Sequence, residues 1–227
     1  MKGIRMKRIA ISLAIATLGA GTAISLAAQG TAPMQLPGAP DPSVLTGGTY
    51  EADAAHSLVG WRVNHLGFND YFGIFGDVSG TLELDPNKLG DAKVDITIPI
   101  SSVLVASPGL KEHLLKPAAE GGRPDFFGPE PKPARFVSTK VDVDTEANTA
   151  VITGNLTLNG TTKPVTLSVH FTGAGTGPMN KAETVGFEGE ASIKRSDFGI
   201  GYGIPMVSDE VELQLTAAFE KPSAQPN

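Results

Sequence analysis

The sequence predicts an all-β domain of antiparallel strands. After Thr49, apolar and polar residues alternate with a period of two through most of the chain. Turn residues punctuate the alternation, and no long stretch has the 3.6-residue period of a helix. One apolar and one polar face per segment is the pattern of strands half-buried in an antiparallel sheet.

The segments follow in order. Val59, Trp61 and Val63 alternate with Gly60, Arg62 and Asn64. Val78, Gly80, Leu82 and Leu84 share one face of the next segment. Val94, Ile96, Ile98 and Ile100 do the same against Lys93, Asp95 and Thr97. Weaker strands run from Arg135 to Val143 and from Thr149 to Leu158. Asn159-Gly160 marks a tight hairpin before Val165, Leu167, Val169 and Phe171. Val185, Phe187, Gly189, Ala191 and Ile193 form a seventh apolar face, and Val211, Leu213, Leu215, Ala217 and Phe219 an eighth. Asp85-Pro86-Asn87 and Glu146-Ala147-Asn148 are further turns. Leu110 to Leu115 reads as one short helix that breaks at Pro117. Eight such strands bury their apolar faces in either a sandwich or a closed barrel. Only the barrel leaves no edge. Periodicity does not choose between the two, nor between a packed and a hollow interior.

The ends of the chain differ from its middle. Residues 1–8 carry Lys2, Arg5, Lys7 and Arg8 and no acid, and an uncharged run follows from Ile9 to Ala28. A basic start, an apolar stretch and small residues at its end are the marks of a secretory signal, with cleavage expected after Ala27. Gly19, Gly21, Thr17 and Thr22 dilute the run relative to a membrane anchor. Residues 28–48 hold Pro33, Pro37, Pro40 and Pro42 and read as an extended linker. The folded domain is expected over 49–220, with a flexible tail over 221–227.

Composition narrows the function. The 227 residues carry a net charge of −6. Losing residues 1–27 removes four cations and no acid, which makes it −10. That charge opposes general affinity for nucleic acid. The absence of Cys from the chain excludes disulfide scaffolds, thiolate metal sites and cysteine nucleophiles. His56, His65, His113 and His170 show no metal-ligand spacing, so no metal is expected. Ser57, Ser138 and Ser196 lie outside any nucleophile elbow. No residue is expected to be catalytic.

Short runs in a fixed order give a more specific reading. Tyr50-Glu51-Ala52-Asp53 leads to His56-Ser57. Trp61 to Gly67 is followed by Gly73-Ile74-Phe75 and Gly80. Leu114 leads to Asp125-Phe126-Phe127, with an insertion over Ala118 to Arg123. Ala134 to Thr139, Gly154 to Val165, Arg195 to Gly199 and Asp209-Glu210-Val211 complete the series. Together they resemble the YceI-like family of periplasmic polyisoprenoid-binding proteins over Thr49 to Glu220. The Gly-rich segment Gly173 to Gly177 and the insertion depart from the family pattern.

The resemblance implies an eight-stranded antiparallel lipocalin-like barrel with one short helix and an apolar internal pocket. It implies non-catalytic binding of an isoprenoid lipid, polyprenyl or quinone in type, for carriage or storage in the periplasm. No other cofactor and no membrane span in the mature chain are expected, and the resemblance admits a homodimer. Inward positions expected to touch the ligand are Val59, Trp61, Val63, Val78, Leu82, Ile96, Ile98, Phe136, Leu156, Leu167, Val169, Phe187, Val211 and Leu213. Phe72, Phe75, Phe126 and Phe127, read as loop or helix-flanking aromatics, are expected to gate the mouth. His65, in phase with Trp61 and Val63, is the candidate head-group contact. Arg195 and Asp197 are expected to pair and brace a turn. The competing readings are a lipid enzyme using His65 or Arg195 and an integral outer-membrane barrel, whose apolar face would point outward.

Overall fold

The computed structural model describes residues 35–222. The expected signal over 1–27, the first part of the linker and all but the start of the tail lie outside the described residues.

In chain order the strands are β1 (Gly38–Ala39), β2 (Gly48–Ala52), β3 (Leu58–His65), β4 (Asn69–Phe75), β5 (Ser79–Leu84), β6 (Lys93–Ile98), β7 (Ala134–Asp144), β8 (Thr149–Leu158), β9 (Thr161–Thr176), β10 (Glu183–Lys194) and β11 (Glu210–Glu220). One helix, α1 (Pro108–Leu114), lies between β6 and β7. Ser107 caps it by accepting from the Leu110 N–H at 3.3 Å, and Pro108 begins its first turn. Every strand pairing is antiparallel. Strands β5 to β11 bond in succession, and β2 joins β11 to β5, so eight strands close into a barrel.

The membership of that ring differs from the sequence expectation in one place. The segment around Trp61 becomes β3, which bonds β11 and β4 but not β5. The eighth stave is β2, a segment outside the eight that the alternation marks. It is five residues long and only Tyr50 gives it a strong inward signal. Between β2 and β3 the ladder to β11 is interrupted at residues 53–57, and side chains repair it. Ser57 Oγ donates to the Ala218 carbonyl at 3.2 Å and accepts from its N–H at 3.1 Å, while the Asp53 N–H bonds the same carbonyl at 2.8 Å. The Asp53 carboxylate accepts from Ala55 N–H and meets His56 Nδ1. The Asp-x-x-His-Ser run is therefore a device for breaking a strand without leaving orphaned backbone groups.

Strand β4 was also missed. Both its faces carry apolar residues: Phe75 is buried, whereas Phe72 is 61% exposed and Ile74 38%. Without contrast between faces there is no period to read.

The expected linker is partly docked. Gly38 and Ala39 pair with Gly175 and Ala174 of β9. A Cβ on Gly175 would stand 2.0 Å from the Pro37 carbonyl oxygen, so only glycine permits this approach. The Gly-rich segment that departs from the family pattern is thus, as far as Thr176, the end of a sixteen-residue strand.

Two irregularities keep apolar residues inward. The β7–β8 register shifts between Ser138 and Lys140, which turns Val141 and Val143 toward the interior. The β9–β10 register shifts beside Phe187, so that Phe171 and then Ala174 face inward. The predicted hairpin at Asn159-Gly160 is present, with φ of +50° and +78° as a two-residue reversal requires. Two groups of buried side chains pack toward the barrel ends. One surrounds Phe75, Ile100, Val103, Leu114 and Phe198 beside α1. The other gathers Tyr50, Leu82, Ala174, Val185 and Phe219 at the opposite end.

Candidate functional site: the barrel cavity

Between these two groups the barrel is hollow. A cavity of about 270 Å³ lies inside, walled by inward residues of all eight staves. Val94, Ile96, Ile152, Leu167, Val169, Leu213 and Leu215 line it, and each is only half-buried although it points inward. Side chains that face the interior yet keep accessible surface are the signature of an unfilled lumen, since packed cores leave few voids larger than a water molecule. Polar residues occur mainly at the rim, where Asp144, Thr145, Asn148 and Thr149 of the β7–β8 turn contribute. An eight-stranded barrel is just wide enough for one small ligand of this kind.

Eleven of the eighteen residues expected to touch a ligand stand on this wall. Val59, Val78, Leu82, Ile96, Ile98 and Phe136 come from β3, β5, β6, β7 and the residues flanking them. Leu156, Leu167, Val169, Phe187 and Leu213 come from β8 to β11. The other seven do not line it. Trp61 packs against Gly73, where a Cβ would lie 2.1 Å from the indole, and its ring stacks on Tyr71 at 6.4 Å. Val63 and Val211 are half-buried near the α1 end. Phe75 is buried there and meets Phe127 edge-on at 6.2 Å. Phe126 packs with His113 and Tyr202. Trp61, Phe75, Phe126 and Phe127 belong to the packed group beside α1. Phe72 does not gate a mouth, because it lies on the exterior of β4.

His65 is likewise displaced from the expected role. It is exposed, ends β3 beside the hairpin turn, and bridges Val207 through its backbone. Arg195 forms no ion pair with Asp197. It is buried, and its guanidinium donates to the carbonyls of Ser208, Ile200, Tyr202 and Val207 at 2.8–3.1 Å. The brace of this turn is therefore one cation satisfying four carbonyls, a task suited to the five donors of arginine. Asp209, not Asp197, completes it by accepting from the N–H and hydroxyl of Ser196.

Several wall residues were absent from the sequence expectation. Leu84, Val94, Ile152, Phe171, Leu215, Ala217 and Phe219 share the parity of residues that were named, so the period-two pattern already contained them. Val141 and Val143 were hidden by the β-bulge. Pro42 and Leu45 were hidden because their segment read as linker.

At the end away from α1, a polar clasp joins the segment before β2 to the adjoining ends of β10 and β11. The Tyr50 hydroxyl donates to Glu183 at 2.5 Å, and Glu183 also accepts from the Thr46 N–H and hydroxyl, each at 2.7 Å. Lys221 Nζ donates to the Thr46 hydroxyl and the Gly47 carbonyl. Burial, then Glu183, pushes the Tyr50 phenol up to about 12. Burial raises the Glu183 carboxyl, but the hydrogen bonds from Tyr50 and Thr46 and the charge of Lys221 outweigh it and hold it below its ordinary value.

The outward faces are polar. Glu188, Glu190, Ser192 and Lys194 on β10 and Glu210, Glu212, Gln214 and Thr216 on β11 are exposed, the reverse of a barrel that faces lipid. No helix among the described residues is long and apolar enough to cross a membrane.

These features place the chain in the class of closed antiparallel barrels with a polar exterior and an apolar lumen. Within that class, the chain belongs to the YceI-like domain family, whose model matches residues 50–219. It is 36% identical over 167 residues to a UPF0312 protein of Pseudomonas aeruginosa strain LESB58, covering 73% of this chain and 82% of that protein. Protein YceI of Salmonella arizonae is 37% identical with the same coverage. Among solved structures, Burkholderia cenocepacia BcnA superposes with a TM-score of 0.60 at 26% identity, covering 74% of this chain and 98% of that one. A Campylobacter jejuni YCEI protein gives 0.56 at 27%, covering 70% and 90%.

Proposed function

We propose that the protein binds an isoprenoid lipid, polyprenyl or quinone in type, in the barrel cavity and carries or stores it in the periplasm without chemical change. The observation that carries this reading is the hollow, continuously apolar wall running from Val78 and Ile98 to Leu84 and Phe219. Each methylene moved from water to such a wall contributes about 0.8 kcal/mol, so a prenyl tail gains affinity without any ionic contact. Ordering the flexible tail offsets part of that gain. The family resemblance supplies the isoprenoid class, and the signal-like pattern of residues 1–27 supports export. His65 and Arg195, the groups an enzymatic reading needs, stand away from the cavity wall, and Arg195 is committed to backbone carbonyls.

Mass spectrometry of an organic extract tests the proposal. Protein purified from its native host under detergent-free conditions is expected to release an isoprenoid in near-stoichiometric yield from the periplasmic fraction. Reproducible absence of any isoprenoid would overturn it.

A further inference from the structure

The Gly-rich end of β9 is shaped to a segment that precedes the family domain. Strand β8 leaves β9 at the Thr149–His170 pair, while β10 holds the other flank of β9 as far as Thr176. On the flank that β8 vacates, Gly38 and Ala39 of β1 pair with Gly175 and Ala174. A Cβ on Gly175 would stand 2.0 Å from the Pro37 carbonyl oxygen and 3.2 Å from Gly38 Cα, and one on Gly173 would stand 3.1 Å from the Ala39 carbonyl oxygen. The nearest atoms in both cases belong to residues 37–39, so the two glycines form a seat for this segment. The chain then runs through a short 3₁₀ turn (Pro42–Val44) into β2, which bonds β11 and β5. Around the ring β8 and β2 are separated by β7, β6 and β5 on one side and by β9, β10 and β11 on the other, so they stand opposite each other. Residues 36–47 therefore cross the open end of the lumen, where Pro42 and Leu45 line the cavity.

The two ends of this strap are held unequally. At its β2 end, Thr46 is bonded to Glu183 and Lys221, and the Gly47 N–H donates to the Tyr50 hydroxyl. At its β9 end the ladder is two residues long, and every residue from 35 to 44 is exposed. Leu45 alone is half-buried, packed on the group around Tyr50. Segments with few buried apolar contacts open at the lowest free energy in a fold. Resting on the lipid-binding reading above, we infer that residues 36–47 are a lid on the lumen. Pro42 and Leu45 cover the bound lipid, and the strap peels from Gly173 and Gly175, pivoting on the clasp, to let lipid enter or leave. The strap lies ahead of the residues that the family model matches, 50–219.

The test locks the strap and, separately, unseats it. The chain has no cysteine, so Ala39→Cys with Ala174→Cys creates one pair, at directly opposed positions of β1 and β9. Such positions have Cα atoms about 4.5–5.5 Å apart, a spacing that a disulfide can bridge. Gly175→Val acts in the opposite sense by placing side-chain atoms where Pro37 and Gly38 sit. Stopped-flow fluorescence reads the rate at which a preloaded fluorescent isoprenoid alcohol passes from the protein to excess phosphatidylcholine vesicles. Oxidising the cysteine pair is expected to slow transfer at least roughly tenfold, with the rate restored by dithiothreitol, and Gly175→Val to speed it by a similar factor. Thermal unfolding confirms that each variant is folded, and should Gly175→Val unfold, the cysteine pair decides, because its reduced form is its own control. Equal transfer rates from the oxidised and reduced pair overturn the lid while leaving lipid binding intact. Failure of the wild type to take up the probe, with no isoprenoid in the native extract, overturns the binding reading itself.

Discussion

Filling the lumen from its own wall gives a quantitative test of the hollow barrel. Gly189 faces inward on β10 and lines the cavity. A Cβ there would lie 3.4 Å from Leu215 Cδ1, 3.4 Å from the Ser168 carbonyl oxygen and 3.5 Å from Val169 Cγ2, all ordinary contacts. Gly189→Leu therefore places its first carbon without strain and extends the rest into space that the ligand would occupy. If each of the four added carbons displaces one ligand carbon, at about 0.8 kcal/mol apiece, the loss is about 3 kcal/mol, or roughly 200-fold in Kd. Gly189→Ala adds one carbon and is expected to cost about fourfold. Removing a strand-interior glycine stabilises the fold by roughly 0.5–1 kcal/mol. The leucine variant should accordingly melt no lower than the wild type. Isothermal titration with an isoprenoid alcohol, paired with thermal unfolding, reads both quantities. A well-folded Gly189→Leu protein that keeps wild-type affinity would refute the placement of the ligand in this lumen.

Other residues divide stability from binding. Trp61→Ala is expected to lower unfolding free energy by about 2–4 kcal/mol, because the ring packs on Gly73 and the lower core. It should leave the lipid affinity of the folded protein within about twofold, as titration of the purified variant will show. Arg195→Lys is expected to destabilise by at least ~3 kcal/mol in urea unfolding, since one ammonium cannot serve four carbonyls that each cost about 1–3 kcal/mol unpaired. The clasp predicts two pH arms. The Glu183 carboxyl is held low in the fold, so its contribution is present above the ordinary glutamate value and is lost as pH falls through the folded value. Glu183→Gln should flatten that acid arm. The Tyr50 phenol is held high, so stability falls between its ordinary value of 10.0 and about 12 as the unfolded chain ionises first. Tyr50→Phe should remove that alkaline loss in denaturant titrations against pH.

The extent to which the site was legible in the sequence follows from what a period can encode. Strands β6, β9, β10 and β11 each alternate an inward apolar face with an outward polar one, so their inward residues could be read directly. The Thr139 bulge changes parity within β7, and no residue-level pattern announced it. β4 buries one face while leaving Phe72 and Ile74 exposed on the other, which erased the contrast that marks a strand. Trp61 and Val63 had the right parity but the wrong height along the barrel. Parity assigns a residue to the interior, whereas the boundary between packed end and hollow middle depends on α1 and residues 195–200 folding across one opening. Arg195 illustrates a related limit. Its proximity to Asp197 suggested a local pair, but the four carbonyls it serves are brought together only by the loop before β11.

The most direct measurement is the electron density inside a crystal of protein purified from its native host without detergent. One continuous, chain-shaped feature is expected between Phe136 and Leu82, with its polar end near Thr145 and Asn148. A lumen closed by wall side chains, or occupied by ordered water alone, would contradict it.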